Sequence, residues 1–244
     1  MLHILGGFIE PSAGRVLIAG QDVSSQPPAR RSTTSMFQDY ALFPHMSVGA
    51  NVGFGLLMRK VPRAQRLSRV AADLEMVGLS GMNARRIHQL SGGQRQRVMI
   101  AMALACNPKL MIADEPTTAL DVTIQAQILD LMNKLKSETG AAILFITHDL
   151  GVIAEMAQHV AVMYAGRIME YTDVKTIFAN PKNPYTVGLL ESIPVLGRKS
   201  DDRRLKTISG TVPSLLNLPS GCLYSDRCAD VFDDCHKVMP DMYP

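Results

Sequence analysis

The apolar residues of this chain occur in two kinds of run, unbroken ones of strand length and longer ones with helical spacing. Leu110–Ala113 and Ala141–Thr147 are unbroken, as in strands that a parallel sheet buries on both faces. Between them, the apolar residues of Asp121–Thr139 recur every three or four positions, and Gly140 follows as a helix stop. Strand, helix and strand in this order predict an α/β fold with a parallel sheet.

The same two patterns predict the remaining elements, except in residues 193–244, which carry little regular periodicity. Helical spacing or a capping residue predicts further helices, at Arg63–Val77, Arg95–Ala105, Leu150–Ala157, Asp173–Ala179 and Val187–Ser192. Met1–Phe8 is predicted to be the end of a helix. Apolar or β-branched runs next to turn residues predict further strands, at Arg15–Ile18 and Thr33–Phe37 and in a hairpin of His159–Ala165 with Ile168–Tyr171.

Composition narrows the class of protein. A chain of 244 residues is long enough for one good core with a small appended lobe. Its apolar content of 47% and charged content of 19% are typical of soluble globular proteins. A net charge of +3 is too small to indicate nucleic-acid binding. No apolar run approaches the roughly 18 residues of a membrane-spanning helix, so we expect any contact with a membrane to be made by docking to a partner.

Two adjacent carboxylates follow the first of the buried strands. Asp114 and Glu115 come directly after Ala113, at the carboxyl end of the strand, where open α/β sheets place their ligands. One carboxylate in such a pair suits a hard cation such as Mg²⁺, and the other suits the orientation of a nucleophilic water. The sequence therefore predicts a magnesium-dependent site at this edge.

A glycine-rich helix start precedes the acid pair. Ser91, Gly92 and Gly93 stand immediately before the helical run of Arg95–Ala105. A serine cap followed by glycines leaves backbone N–H groups facing outward, which is an arrangement that binds anions.

Two more polar residues are expected at the edge of the acid pair. The strand Ala141–Thr147 delivers His148 there, where a neutral imidazole can donate to a phosphate or position an attacking water. An incidental histidine is the weaker interpretation beside two acids. Gln38 follows Thr33–Phe37, and its amide suits Mg²⁺ or a water. Taken alone, Gln38 fits a surface glutamine better, and only its register with the other motifs favours a site.

Together these segments resemble the motifs of one family. Leu90–Gln94 is similar to the ABC signature motif, and Leu110–Glu115 to a Walker B strand with its catalytic glutamate. Thr118–Asp121 resembles the D-loop, and Ile146–Asp149 the switch-histidine loop. Gln38 falls where the family has its Q-loop glutamine. From about residue 1 to 190 the chain resembles the nucleotide-binding subunit of an ABC transporter.

The resemblance implies a P-loop NTPase-like ABC nucleotide-binding domain, with a RecA-like parallel sheet and a helical subdomain at about residues 41–105. In such a domain Glu115 and His148 would be catalytic, Glu115 polarising water and His148 contacting the γ-phosphate of ATP. Asp114 and Gln38 would organise Mg²⁺, and Asp121 would link two ATP sites. Within the helical subdomain, Leu42, Phe43 and Met46 fit either a groove for a coupling helix of a membrane partner or local core, and both interpretations stay open.

Partners and location also follow from the resemblance. Two ATP-binding subunits, alike or different, would sandwich ATP between them. The signature residues of each, Ser91, Gly92, Gly93 and Gln94, would close on the nucleotide of the other. Transmembrane permease subunits would hold the pair at the cytoplasmic face of the inner membrane as peripheral proteins, and a solute-binding protein would act indirectly. Nucleic acid is not an expected partner, because the chain shows neither two cassettes nor a long charged helical arm.

Different parts of the chain resemble different importer subfamilies. Glu115–Asp121, Thr147–Val152 and the segment Asn180–Ser192 are similar to importers of oligopeptides, dipeptides and nickel. Phe37–His45 is closer to importers of polyamines or iron. Peptide is the favoured solute, because the accessory tail is more specific to one subfamily than the segment Phe37–His45 is. We expect the nucleotide-binding domain to cover residues 1–192 and an oligopeptide-importer-type extension to cover residues 193–244.

Cysteines near the end of the chain resemble the same subfamily's cysteine-rich tail. Cys222, Cys228 and Cys235 are separated by five and six residues. In that family a fourth cysteine follows and the set is associated with an iron–sulfur cluster, which normally needs four thiolates. We expect reduced thiols here, with an incomplete cluster site as the alternative, and Cys106 as a small core residue.

One family motif does not occur in the sequence. There is no Gly-x-x-x-x-Gly-Lys-Ser/Thr, the Walker A loop that cradles the phosphates. Leu2–Gly6 resembles the helix that normally follows this loop, so we expect the chain to start after the loop and the first strands and to bind ATP weakly by itself. The alternative to an ATP-hydrolysing subunit is a truncated or degenerate one that supplies only a signature face or a docking surface.

Overall fold

The computed structural model of the chain describes residues 1–36, 42–118, 120–193 and 207–242. Contacts between Cα atoms divide it into two units, residues 1–148 and 149–244. The predicted domain boundary between residues 192 and 193 stays a prediction.

The first unit combines a parallel sheet with helices that precede and separate its strands along the chain. Its described helices are α1 (Leu2–Gly6), α2 (Val48–Val52), α3 (Phe54–Met58), α4 (Arg63–Met76), α5 (Gly92–Leu104) and α6 (Val122–Thr139). Its described strands are β1 (Leu17–Ile18), β2 (Gln21–Asp22), β3 (Thr33–Met36), β4 (Leu110–Asp114) and β5 (Ala142–Ile146). Short 3₁₀ turns lie at Pro28–Arg30 and Ile87–Gln89.

The sheet of the first unit has the order β3-β4-β5, and both pairs of strands are parallel. Met111, Ile112 and Ala113 of the central strand β4 are almost completely buried, which confirms the prediction of a strand covered on both faces. Helix α6 connects β4 to β5, begins at the Asp121 cap and ends at Gly140, whose φ of 65° is left-handed. The α/β fold and its parallel sheet are therefore confirmed.

Strand β5 is less buried than its sequence predicted. Ile143, Leu144, Phe145 and Ile146 are only half-buried and Ala142 is exposed. Within the described ranges, β5 pairs with β4 along one side, so its other side has no neighbouring strand to cover it. The apolar run predicted the strand correctly, but the prediction that it is buried on both faces was wrong.

The helical region before the sheet's central strand packs around α5. Helices α2 and α4 both contact α5, and Val70 and Leu74 of α4 are buried as predicted. Leu67 was predicted on the same buried stripe but is 52% exposed, because it borders a hollow at the surface of α4. Phe43 is half-buried, with its ring centroid 4.6 Å from that of Phe54 in α3.

A buried arginine ties the amino-terminal helix to the sheet. The guanidinium of Arg31, which is 1% exposed, donates to the backbone carbonyls of Ile4, Leu5, Ser24 and Gln26 at 2.6 to 3.0 Å. Two of these carbonyls belong to α1, so the arginine satisfies groups that the end of a helix leaves without intrahelical partners. Arg31 precedes β3, and it therefore joins α1 to the first strand of the parallel sheet.

A second buried charge lies in the helical region. Asp73 of α4 is almost completely buried, and its carboxylate lies 3.1 Å from the Nε atom of Arg69, one turn earlier. Burial raises the pKa of Asp73 from 3.8 to about 6, and the neighbouring charge and hydrogen bond of Arg69 offset only part of this effect. The folded protein therefore favours the protonated form of Asp73 more than the unfolded chain does.

We expect Asp73→Asn to remove a pH dependence of stability. Because the folded pKa is raised, the contribution of Asp73 is fully present below about pH 4 and is lost as the pH rises through about 6. Two pKa units correspond to about 3 kcal/mol. Urea unfolding from pH 4 to pH 7 should show the free energy of the wild type falling by about that amount relative to the variant. Asp130→Asn, on the exposed side of α6, is the matched control, and parallel curves for wild type and Asp73→Asn would contradict the prediction.

The second unit is built on an antiparallel hairpin. Its described elements are α7 (Leu150–Met156), β6 (His159–Tyr164), β7 (Arg167–Asp173), α8 (Val174–Ala179) and α9 (Pro184–Glu191), followed by 3₁₀ turns at Ser225–Arg227 and Asp233–His236. Strand β6 pairs with β7 with an irregularity at Val162 and Met163. The predicted hairpin and the helices on either side of it are confirmed.

Three tyrosines hold the tail against the hairpin. The ring of Tyr224 lies 5.4 Å from that of Tyr164 at the end of β6 and 5.3 Å from that of Tyr185 in α9. Arg227 donates to the Tyr164 hydroxyl and to the backbone carbonyls of Ile208 and Ser209. The tail is thus anchored at Leu223–Ser225, which are buried, although its sequence shows no helical or strand period. No described helix combines the length and the apolar character that crossing a membrane requires.

Candidate functional site

The carboxyl ends of β4 and β5 meet at one edge of the parallel sheet. Asp114, the last residue of β4, is in register with Ile146, the last residue of β5. A candidate catalytic residue follows each strand. Glu115 comes directly after β4, and His148 comes two residues after the end of β5. Parallel strands in this register bring both polar residues to the same place, as the sequence predicted.

Glu115 sits in an uncommon backbone conformation. Its φ of 45° lies in the left-handed region, which residues other than glycine adopt only where their surroundings hold them there. The Glu115 N–H donates to the Ile146 carbonyl at 2.9 Å, and its carbonyl accepts from the Thr118 N–H at 3.2 Å. These two bonds fix the turn that carries the Glu115 side chain.

The Glu115 carboxylate has a partner on each oxygen. His148 Nδ1 lies 3.0 Å from Oε1, and the Thr118 hydroxyl donates to Oε2 at 3.0 Å. The hydrogen bond from His148, and then that from Thr118, hold the pKa of Glu115 below its ordinary value. Glu115 is therefore ionised at neutral pH and can accept a proton or orient a water. The imidazole is 78% exposed, so it faces solvent beside the carboxylate.

Asp114 is half-buried at the end of β4, next to this pair. The part of the chain that the structure describes holds no group of three or more His, Cys, Asp or Glu side chains arranged to bind a metal. A single carboxylate still fits Mg²⁺, which usually takes one or two protein carboxylates and fills its other positions with water and substrate phosphates. Gln38, the other predicted magnesium ligand, lies outside the described residues.

The predicted helix cap is present at the start of α5. Ser91 Oγ accepts from the Gln94 N–H at 3.3 Å, and Gln94 Oε1 accepts from the Ser91 N–H at 3.0 Å. This reciprocal pair is a capping box. Gly93 meets a steric requirement as well, because a Cβ atom there would lie 2.8 Å from Ile124 Cγ2 of α6. Gly92 begins the helix, and its part in binding a nucleotide stays a prediction.

Asp121 has a structural role that the sequence also predicted. Its Oδ1 accepts from the Ile124 N–H at 2.9 Å and caps α6. A link from Asp121 to a second ATP site stays a prediction.

The tail cysteines do not form a described metal site. Cys222, Cys228 and Cys235 are half-buried free thiols, and among the described residues none of them belongs to a group of three or more side chains arranged to bind a metal. Burial raises the pKa of Cys228, so its thiol form is favoured. An iron–sulfur cluster is therefore not supported. Cys106 is half-buried rather than a core residue, and burial likewise raises its pKa.

Two contacts at this edge were not predicted. The Thr118 hydroxyl was not expected to reach Glu115, although a spacing of three residues in a tight turn is a signal for such a bond. Gln96 of α5 donates through Nε2 to the Pro116 carbonyl. Nothing in the sequence pairs these two residues, which are 20 positions apart.

Two family models match the chain. The family described as ABC transporter matches residues 1–118, which lie in the first unit. The family described as oligopeptide/dipeptide transporter, C-terminal region, matches residues 169–235, which lie in the second.

Curated relatives of the chain have related descriptions. A putative peptide import ATP-binding protein of Brucella ovis is 52% identical over 210 residues, covering 83% of this chain and 62% of the relative. The oligopeptide transport ATP-binding protein OppD of Salmonella typhimurium is 42% identical over 93% of this chain and 71% of its own length. AppD of Bacillus subtilis, an oligopeptide transport ATP-binding protein, is 47% identical over 97% and 76%. The chain thus spans about three-fifths to three-quarters of the length of these proteins.

A solved structure has the same fold. The ATP-binding cassette MJ0796, in a dimeric post-hydrolysis state bound to ADP and Pi, is 29% identical, with a TM-score of 0.61 over 71% of this chain and 78% of that one. Fold, family models and sequence identity agree, and the chain belongs to the ATP-binding proteins of ABC transporters and resembles those of the oligopeptide and dipeptide importers.

Proposed function

We propose that this chain is the ATP-binding and ATP-hydrolysing subunit that energises an ABC importer of peptides. The observation that carries the proposal is the contact between His148 and Glu115, an ionised carboxylate held at the carboxyl edge of a parallel sheet. The relatives' descriptions as ATP-binding proteins of peptide import support the same function. A degenerate subunit without catalysis finds no support among them.

In this function Glu115 acts on water. The carboxylate accepts a hydrogen bond from the attacking water and polarises it toward the γ-phosphate. His148, at 3.0 Å from Glu115, contacts the γ-phosphate with the ring nitrogen that does not face the carboxylate. Asp114 and Gln38 would hold Mg²⁺, which neutralises charge on the phosphates when bound.

The capping box at the start of α5 serves a second nucleotide. Ser91, Gly92, Gly93 and Gln94 present the amino-terminal end of a helix of 13 residues, which attracts anions through its backbone N–H groups and its dipole. We place the ATP of a second ATP-binding subunit, alike or different, at this helix end. Asp121, close in sequence to the acid pair, would connect the two sites.

The remaining partners are membrane proteins. Transmembrane permease subunits would bind the pair at the cytoplasmic face of the inner membrane, and a solute-binding protein would deliver the peptide to them. Residues 1–192 would form the nucleotide-binding domain and residues 193–244 the extension. Nickel is the alternative solute within the same subfamily. The assignment of polyamine or iron as the solute rests only on the sequence of Phe37–His45, and it is the weaker alternative.

Hydrolysis is tested with two forms of the protein. Because the 244 residues contain no Gly-x-x-x-x-Gly-Lys-Ser/Thr loop, the 244-residue chain is compared with the P-loop fusion, in which an amino-terminal segment that carries such a loop is joined to it. We expect the P-loop fusion to bind ATP and release phosphate, and the 244-residue chain by itself to bind ATP weakly. A P-loop fusion that folds and binds ATP but releases no phosphate would refute the catalytic proposal.

The solute is tested by uptake. The P-loop fusion is expressed in a bacterium whose own peptide-import ATP-binding protein has been deleted, and uptake of a labelled oligopeptide is measured. Restored peptide uptake is the expected result. Restored uptake of nickel or a polyamine, without peptide, would replace the proposed solute and leave the proposed hydrolysis intact.

A further inference from the structure

Gln96 connects α5 with the loop that carries Glu115. The residue is 2% exposed, and its amide donates to the Pro116 carbonyl. Its neighbours Val98 and Met99 on the helix are also buried. A polar amide in such surroundings costs free energy unless it is hydrogen-bonded. The bond to Pro116 therefore accounts for a glutamine at a position where an apolar side chain would otherwise be favoured.

The loop that Gln96 holds has little freedom of its own. Glu115 has a left-handed φ of 45°, and its N–H is bonded to Ile146 of β5. Thr118 closes the turn through its own N–H and through its hydroxyl. Gln96 is the contact in this set that comes from the helix capped by Ser91. A shift of the helix would therefore reach the backbone next to Glu115 through this bond.

The start of α5 also touches the far end of the same segment. A Cβ atom at Gly93 would lie 2.8 Å from Ile124 Cγ2, and Ile124 is the residue whose N–H is capped by Asp121. The first two turns of α5 are thus packed against both ends of the stretch from residue 115 to 124, through a hydrogen bond at Pro116 and through close packing at Ile124.

We propose that Gln96 is a positioning residue, which couples the place of the Glu115 carboxylate to the position of the helix that begins at Ser91. The functional meaning of this coupling rests on the proposed function, in which Ser91–Gln94 meets one nucleotide and Glu115 serves another. An anion that binds at the capped end of α5 would shift the helix. The hydrogen bond from Gln96 to Pro116 would transmit that shift to the loop that carries Glu115.

Amide hydrogen exchange on the full 244-residue chain tests the coupling without ATP. Gln96→Met keeps the length of the side chain and removes the donor. We expect it to speed exchange of the Glu115 and Thr118 amides at least tenfold, while Ile112 in β4 changes by less than about twofold. Gln65→Met, at an exposed site on α4, is the matched control and should change none of these amides. Gln96→Leu, which also lacks the donor, is the second variant if the methionine variant does not fold.

Two exchange results would overturn the proposal. One is unchanged exchange at Glu115 and Thr118. The other is an increase of equal size throughout β4, β5 and α5, which would make Gln96 an ordinary stabilising residue.

A kinetic measurement on the P-loop fusion separates coupling from simple loss of binding. Gln96→Met is expected to lower kcat about tenfold with KM for ATP within twofold, because the loop and not the nucleotide contact is disturbed. A rise in KM with unchanged kcat would contradict the positioning role. Absence of hydrolysis in the unsubstituted P-loop fusion would instead refute the proposed function, and the exchange result would still decide whether Gln96 holds the loop.

Discussion

Glu115→Gln in the P-loop fusion is expected to lower the rate of ATP hydrolysis by at least about 100-fold, the scale of losing a general base. The amide has nearly the same shape as the carboxylate and can keep one contact with Thr118 or His148, but it cannot accept a proton from water. Because the pKa of Glu115 is held below its ordinary value by His148 and Thr118, the wild-type carboxylate is charged throughout the neutral range. Phosphate release at saturating ATP, with binding measured separately, is the assay.

A surface glutamate provides the control for this substitution. Glu138 on α6 makes an exposed i,i+4 pair with Lys134 at 3.8 Å, which contributes little to stability. Glu138→Gln should leave both binding and hydrolysis unchanged. ATP binding retained in Glu115→Gln with hydrolysis lost is the expected pattern, and hydrolysis within a few fold of wild type would remove Glu115 from the catalytic role.

Tyr224→Ala is expected to release the tail of the second unit. The ring is 5% exposed and packs on Tyr164 and Tyr185. Removing a buried aromatic side chain costs about 3–5 kcal/mol, which corresponds to a rise of roughly 100-fold or more in the population of the opened segment. Limited proteolysis followed by mass spectrometry should show much faster cleavage within residues 207–242.

Tyr171→Ala tests whether the effect belongs to the buried cluster. Tyr171 is 59% exposed, on β7, and stacks only on His159 among its described ring contacts. Its loss should change the cleavage rate by no more than a few fold. Equal rates for the two variants would mean that the tyrosine cluster does not hold the tail.

Periodic segments with clear ends were predictable from the sequence. The run ending in Asp114 predicted β4, because only an unbroken apolar strand fits a sheet covered on both faces. Asp121 and Gly140 predicted both ends of α6, since a capping carboxylate and a left-handed glycine act locally. Burial was harder to predict. Leu67 had helical spacing but lies beside a hollow, and exposure of this kind depends on which elements pack against the helix.

Some contacts between distant residues left a signal in the sequence and others did not. The convergence of Glu115 and His148 was predicted, because parallel strands deliver their ends to one edge. The bonds of Gln96 to Pro116 and of Arg31 to α1 were not, since a side chain that reaches a backbone carbonyl has no period. The tyrosine cluster was not predicted for the same reason, although it anchors a tail whose sequence shows little regular periodicity.

Strand β5, which within the described residues pairs along one side, has a practical consequence for work with this protein in solution. Natural sheets usually protect an open side with charged residues, proline or a bulge, and Ala142–Ile146 contains neither charge nor proline. Unpaired backbone donors and acceptors along an apolar strand of this kind can pair with another copy of the chain. Such association increases with protein concentration. Variants are therefore best compared in dilute samples of equal concentration, so that aggregation is not mistaken for a loss of folding stability.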